Sequence, residues 1–259
     1  MQYWQFRNTG GGGKVRGMTT AAAFAGKSTL EEIRERFDHD VERFSNLETG
    51  QQATIDAPLV LDLVAAAAAS HVPRDGRLLD LGCGAGNFTL RVMQETGPLH
   101  CHLADLSQPM LDRARSRVEA AGARSVETRQ GDLRELEFAD GTFDVILAGA
   151  VLHHLREDAD WERVFALLHR WLKPGGRLYV ADLVYFDSPA MQAMMWARYG
   201  AYLESLGGPA YREKVFAYIE REDSPRSLHY QLGLLQKTGF TSWDVLHRNS
   251  VFACYFGER

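Results

Sequence analysis

Apolar runs and helical stripes alternate along most of the chain. Runs at residues 78–81, 99–104, 143–148 and 177–184 have the length and density of strands buried on both faces. A weaker run at 126–130 joins them. Between them, residues 88–95, 109–121 and 161–172 carry the spacing of amphipathic helices. Strands alternating with helices in this rhythm predict a doubly wound, mostly parallel α/β sheet with right-handed crossovers. Residues 243–248 and 251–256, turning at Asn249-Ser250, read as an antiparallel hairpin that closes the sheet.

The flanks follow other patterns. Leu30, Ile33, Phe37, Val41 and Phe44 form one apolar stripe, which predicts a helix over 29–44 with a Ser28/Glu31 capping box. A polar, turn-rich stretch runs to Asp56, and Asp56 with Pro58 signals the start of a helix reaching Ser70. Residues 187–222 interrupt the strand–helix rhythm. They predict two helices, 189–205 and 211–220, joined by Gly207-Gly-Pro209 and dense in Met and aromatic residues. Such a segment is either the core of a helical insertion or the wall of an apolar pocket. Ser224-Pro225 then reads as the cap of a helix ending at Gly239. The expected organisation is a leader over 1–27, a helical segment over 28–56, and one large domain over 57–259 with its insertion at 187–222. Within the leader, Gly10 to Gly13 reads as a flexible stretch and Met18 as an alternative start.

Composition narrows the function classes. Of the 259 residues, 45% are hydrophobic and 24% charged, with a formal net charge of −5, which is ordinary for a soluble globular chain. That balance gives no broad field for a nucleic-acid backbone, so a nucleic-acid partner is not expected. No apolar run is long enough to span a bilayer. Cys83, Cys101 and Cys254 are odd in number and widely spaced. They read as reduced thiols of a cytoplasmic protein, and no metal-binding pattern is expected.

The chemistry centres on Asp80-Leu-Gly-Cys-Gly-Ala-Gly86. A strand enters a turn with Gly82, Gly84 and Gly86, and a helix leaves it. Glycines there admit positive φ and let a ligand approach the main chain, while the helix N-terminus offers free N–H groups. A dinucleotide turn places a small residue where Asn87 stands, so the spacing departs from that fingerprint. Asp105, at the next strand tip, stands where an acid grips ribose hydroxyls, although it also suits a helix cap ahead of Pro109.

With Ala104-Asp-Leu-Ser-Gln-Pro-Met110, Gln130-Gly-Asp-Leu133, Phe143-Asp-Val-Ile146, Ala150-Val-Leu-His-His-Leu155 and Leu172-Lys-Pro-Gly-Gly-Arg-Leu178, the chain resembles the class I S-adenosylmethionine-dependent methyltransferases. The resemblance covers about residues 57–184. It implies a Rossmann-like, seven-stranded sheet, S-adenosyl-L-methionine as cofactor, and the N-terminal segment as a lid. It also implies that Asp80 orients the amino group, that the main chain of Gly82 to Gly86 cradles the methionine part, and that Asp105 binds the ribose. Leu106 and Met110 would wall the adenine, Asp132 and the Leu133 N–H would meet its edge, and Ala148 would line the site. His153 and His154 are candidate catalytic residues because imidazole suits proton removal, with structural packing as the alternative. Arg43 could meet the cofactor's carboxylate or lie solvated at the surface.

A small, partly apolar acceptor fits the weak charge and the aromatic insertion. The tail around residues 224–240 faintly resembles the carboxy-S-adenosylmethionine synthases, with Arg212 as a candidate for an added carboxylate. A non-catalytic cofactor-binding partner protein is the third reading. Both binding carboxylates and the glycines are intact.

Overall fold

The computed structural model describes residues 24, 26–46 and 50–259. Most of the expected leader, and residues 47–49 of the expected lid loop, lie outside the described residues. From Arg77 onward, strands and helices alternate as β1 (Arg77–Leu81), α4 (Asn87–Thr96), β2 (His100–Asp105), α5 (Gln108–Ala120), β3 (Ser125–Gln130), β4 (Phe143–Gly149), α6 (Asp158–Trp171) and β5 (Leu172–Leu183). Among the described residues, α1 (Leu30–His39), α2 (Val41–Ser45) and α3 (Ala57–Ala69) precede them. The long α7 (Pro189–Glu222), α8 (Leu228–Thr238) and the hairpin β6 (Ser242–Asn249) and β7 (Phe252–Glu258) complete the chain.

The seven strands form one sheet in the order β3-β2-β1-β4-β5-β7-β6. The first five are parallel, while β7 pairs antiparallel with both β5 and β6. The doubly wound reading therefore holds, with its closing hairpin. The order reverses at β1, between β2 and β4, and such a switch point opens a crevice beyond the carboxyl ends of the strands. The central strands are apolar on both faces because helices cover both. Leu79, Ile146 and Leu178 pack with α6 side chains such as Trp161 and Phe165, while Leu78, Val145 and Leu103 pack with Val64, Val92 and Leu111.

Several helix ends differ from expectation. The first helix breaks at Asp40, and its capping box uses Thr29 and Glu32 in place of Ser28 and Glu31. Ser28 is buried, and its main-chain N–H donates to the Arg221 carbonyl, so tertiary pairing shifts the cap by one residue. Asp56 occupies the N-cap of α3 without capping it. Its carboxylate accepts from His247 Nε2 at 2.9 Å and Asn249 Nδ2 at 2.7 Å, tying the helix to the hairpin. The cap of α8 is Ser227, whose hydroxyl accepts from the Tyr230 N–H. Ser224, nearer the start of that loop, has its N–H on the His153 carbonyl instead.

The insertion is α7, two helices merged across Gly207 and Gly208, where the backbone leaves helical geometry. Its Tyr199, Leu203 and Ile219 form a small core with Ile55, Leu183 and Val251. No helix among the described residues is long and apolar enough to cross a membrane.

A candidate active site at the strand tips

The crevice over β1, β2 and β4 is a cavity of about 810 Å³. One end lies on the glycine turn. There Gly82 has φ +67°, and a Cβ on it would stand 2.4 Å from Val151 Cγ2, so no side chain fits. Gly84 also has positive φ, but the direction of its absent Cβ is open. It lines the cavity, so bare main chain faces whatever binds there. Gly86 does not line the cavity. A Cβ there would stand 3.3 Å from Ala114 Cβ, so this glycine serves the packing of α4 against α5.

The carboxylates divide by position. Asp105 Oδ2 accepts the Gly84 N–H at 2.8 Å, and Oδ1 accepts the Ser107 N–H at 2.9 Å. Burial pushes its pKa up, and these main-chain bonds oppose the rise. It lines the cavity with Leu106, Met110, Asp132 and Leu133. Asp132 accepts from the guanidinium of Arg134, with Nε at 2.9 Å and 3.0 Å from its two oxygens. Burial would raise the Asp132 pKa, but the Arg134 bonds hold it below the usual range. This local partner was not expected from the sequence.

Asp80 and Ala148 stand behind the cavity wall. Asp80 is buried, does not line the cavity, and accepts from Thr89 Oγ1 at 2.7 Å. Burial lifts its pKa to about 6. Ala148 is part of the core, and its neighbours Gly149 and Ala150 line the cavity in its place.

The N-terminal helices cover the opening. Phe37, Arg43 and Phe44 line it, and Asp38 Oδ1 accepts from Ser107 Oγ at 2.6 Å. Arg43 pairs with Asp40 at 2.6 Å while more than a third exposed. Arg212 is paired with Glu204 and Glu213 and does not line the cavity. It is therefore not placed to meet an added carboxylate on a cofactor.

Away from the glycine turn the cavity is lined by Tyr199, Val215, Tyr218 and Ile219 of the insertion, with Ile55 and Phe252, which form an apolar lobe. Tyr199 and Tyr218 donate or hold their hydroxyls in fixed bonds: Tyr199 Oη donates to the Ala53 carbonyl at 2.9 Å, and Tyr218 Oη accepts from Arg36 at 2.9 Å.

A polar cluster separates the two ends. The 3-10 turn Leu152–His154 carries both histidines into the cavity. His153 Nδ1 is hydrogen-bonded to Asp182 Oδ1 at the tip of β5, while Asp182 Oδ2 accepts the His153 N–H at 3.1 Å. Burial alone would lower the His153 pKa, but Asp182 and Asp223 overcome it and raise the ring to about 9. The His154 ring packs edge-on against Phe37. Burial drives its pKa well below the ordinary value, and His153, Arg36 and Arg156 add to that. Asp223, just past the end of α7, is lifted by burial to about 7 against the pull of His153. The two rings are thus pushed in opposite directions from the ordinary imidazole pKa. Asp182 and Asp223 were not singled out in the sequence. Asp182 lies within an apolar strand, and Asp223 falls one residue beyond the expected insertion.

Comparisons with known proteins agree with this architecture. Residues 78–176 match the family described as a methyltransferase domain. Demethylmenaquinone methyltransferase of Listeria monocytogenes is 28% identical over 192 residues, covering 72% of this chain and 79% of its own. Among solved structures, phosphoethanolamine N-methyltransferase 2 of Haemonchus contortus, in complex with S-adenosyl-L-methionine, superposes with a TM-score of 0.59. It is 20% identical over 85% of this chain and 46% of its own. The [4+2]-cyclase SpnF superposes at 0.61, is 16% identical, and covers 90% of this chain and 96% of its own. At such identities the two structures speak for the fold alone, and the cyclase illustrates that one fold hosts several reactions. The matched domain contains the glycine turn, Asp105 and Asp132 in the order seen at these strand tips. Residues 78–176 are thus a methyltransferase domain, and the chain is similar to the class I S-adenosylmethionine-dependent methyltransferases, enzymes that use S-adenosyl-L-methionine as cofactor.

Proposed function

We propose that this enzyme transfers a methyl group by in-line displacement to a small, partly apolar acceptor that carries an oxygen near the methylated atom. The observation that carries the reading is one continuous cavity, running from the bare main chain of Gly84 past His153, His154 and Asp223 to an aromatic lobe. The two ends differ in chemistry as two ligands would require. A nucleoside fits the end with Asp105, Asp132 and the glycine main chain, and an apolar ring fits the end with Tyr199, Tyr218 and Phe252.

When bound, S-adenosyl-L-methionine supplies a methyl group on a sulfonium, which is already a good leaving group. The protein's part is to position the acceptor and exclude water. Asp105 keeps lone pairs free beyond its two main-chain bonds, and these accept from ribose hydroxyls. Leu106 and Met110 supply the apolar walls for adenine, while Asp132 and the Leu133 N–H meet its edge. The Gly82 and Gly84 main chain lies under the methionine part, and Asp80 acts on the turn from behind through Thr89. His153 and His154 present a polar foot to the acceptor's oxygen, with His153 fixed in orientation by Asp182. Phe37 and Phe44, from the N-terminal helices, close the opening against water.

The Listeria relative's name gives it a demethylmenaquinone as substrate, an oxygenated ring of the kind the lobe suits. The test is methyl transfer from labelled S-adenosyl-L-methionine to a panel of hydroxylated aromatic rings, reduced naphthoquinones among them, with phosphoethanolamine as a charged control. Turnover confined to the rings supports the proposal. Turnover of phosphoethanolamine alone, or a co-purified cofactor carrying an added carboxylate in mass spectrometry, overturns it.

A further inference from the structure

Two histidines and an aspartate meet in the cavity; His153 is bonded to Asp182, whereas His154 and Asp223 lack hydrogen bonds that buried polar groups require. Asp223 Oδ1 and at least one ring nitrogen of His154 complete no hydrogen bond, the Glu222 main chain being the one backbone group that bears on that ring, although Asp223 is 5% exposed and the His154 ring lies against Phe37. A buried polar atom left unpaired costs about 1–3 kcal/mol, and several in one place call for an explanation.

Their spacing supplies one. Asp223 Oδ1 lies 3.4 Å from His154 Nδ1 and 3.7 Å from His153 Nε2. These separations are too long for good N–H···O bonds, which cluster near 2.9–3.0 Å. They are close to the spacing of neighbouring donors around one ion with metal–ligand bonds of about 2.0–2.2 Å. All three donor atoms lie within 4.8 Å of one another. We propose that His153, His154 and Asp223 bind one divalent first-row transition-metal ion, with its remaining positions open to the acceptor lobe.

The surroundings fit such an ion. Two imidazoles and one carboxylate on one side of an ion leave positions for water or substrate, an arrangement suited to Mn²⁺, Fe²⁺, Co²⁺ or Zn²⁺. A ligating histidine commonly donates its other ring N–H to a carboxylate, which fixes tautomer and orientation. His153 does this through Nδ1 to Asp182, leaving Nε2 toward Asp223. The neighbouring cations are engaged elsewhere. Arg36 is paired with Glu222, Arg156 donates to the Ser28 carbonyl, and Lys27 donates to the main-chain oxygen of Asp223. The acids Asp182, Glu222 and Asp223 offset all three. The inference deepens the proposed function, because it rests on an acceptor with an oxygen in this part of the cavity. An ion there would hold that oxygen and favour loss of its proton to solvent.

The test uses the full chain, stripped with a chelator and titrated with Co²⁺ and Zn²⁺ by calorimetry, with Co²⁺ followed in the visible spectrum as well. One ion per chain and d–d absorption of nitrogen-ligated Co²⁺ are expected. His154→Ala and the isosteric Asp223→Asn each lower affinity by about tenfold or more, and Asp182→Asn lowers it by roughly tenfold through His153. His229→Ala, at an exposed pair with Asp187, leaves it unchanged. Absence of saturable binding, or binding that survives both ligand substitutions, overturns the proposal. Binding of S-adenosylhomocysteine, read as a rise in Tm, is measured on the same samples. If it persists without metal binding, only the metal site fails. If the wild-type chain does not bind it, the methyl-transfer reading fails instead.

Discussion

Asp105 holds the main-chain N–H of Gly84 at 2.8 Å across the crevice between β2 and the glycine turn. The acid expected to bind the ribose thus also sets the shape of the turn beside it. Asp105→Ala removes both functions. Affinity for S-adenosylhomocysteine should fall more than tenfold, because a buried N–H loses its acceptor and the ligand's hydroxyls lose theirs. Calorimetry checks this, and unchanged binding would refute the assignment.

Gly82 and Gly84 have similar backbone conformations but different surroundings, so alanine should separate stability from binding. At Gly82 the added Cβ meets Val151 at 2.4 Å, and left-handed φ costs an L-residue about 1–2 kcal/mol. Gly82→Ala should therefore unfold at lower denaturant, by about 2–4 kcal/mol once the overlap is included. Gly84→Ala has space for its methyl and should lose only the backbone penalty, yet that methyl projects where main chain now faces the cavity. Its cofactor affinity should fall while its stability stays near wild type. Urea melts and calorimetry on the two variants test the contrast.

Much of this was legible in the sequence because it is local. Strands buried on both faces announce themselves as apolar runs, and the Gly207-Gly-Pro209 break marked the kink in α7. What escaped was tertiary. The cap of α1 moved from Ser28 to Thr29 because the Ser28 main chain pairs with Arg221 from a distant helix. Asp182 sits in a strand otherwise apolar, and only the sheet brings it beneath His153. The Asp223 side chain carries no motif, and its place in the cavity depends on how α7 folds back after its kink. Ala148 illustrates the converse: the resemblance implies that it lines the site, yet it lies in the core, with Gly149 and Ala150 at the cavity.

The buried Asp80 predicts a pH effect with a definite sign. Its pKa rises from an ordinary 3.8 to about 6 on folding. The folded state therefore binds the proton more tightly than the unfolded one, and stability falls as pH climbs from about 4 to 6. The two-unit shift corresponds to about 3 kcal/mol for a group with no solvent screening. Asp80→Asn keeps the Thr89 contact and removes the titration. The stability difference between variant and wild type, from urea melts, should swing in the variant's favour by about 2–3 kcal/mol between pH 4 and pH 7. A difference independent of pH would show that Asp80 titrates normally.

A buried ion pair ties the cover over the cavity to the insertion. Glu222 is 1% exposed, and Arg36 Nη2 meets it at 2.7 Å while the guanidinium also lies over the Phe37 and Tyr218 rings. The pair links α1 to the end of α7, so it holds Phe37 beside His154. Removing one member of a buried pair strands the other charge, at a cost of about 3–5 kcal/mol where burial is complete. Because Arg36 is partly exposed, Arg36→Ala should destabilise by the lower end of that range. The loss should concentrate in the cover rather than in the sheet. Hydrogen exchange should then accelerate in α1 and α2, while β1, β2 and β4 keep their protection. Arg36→Lys keeps the charge but loses the planar fork that serves Glu222 and Tyr218 together, so it should recover only part of the protection. Uniform acceleration across the sheet in Arg36→Ala would mean that the pair stabilises the whole domain rather than the cover.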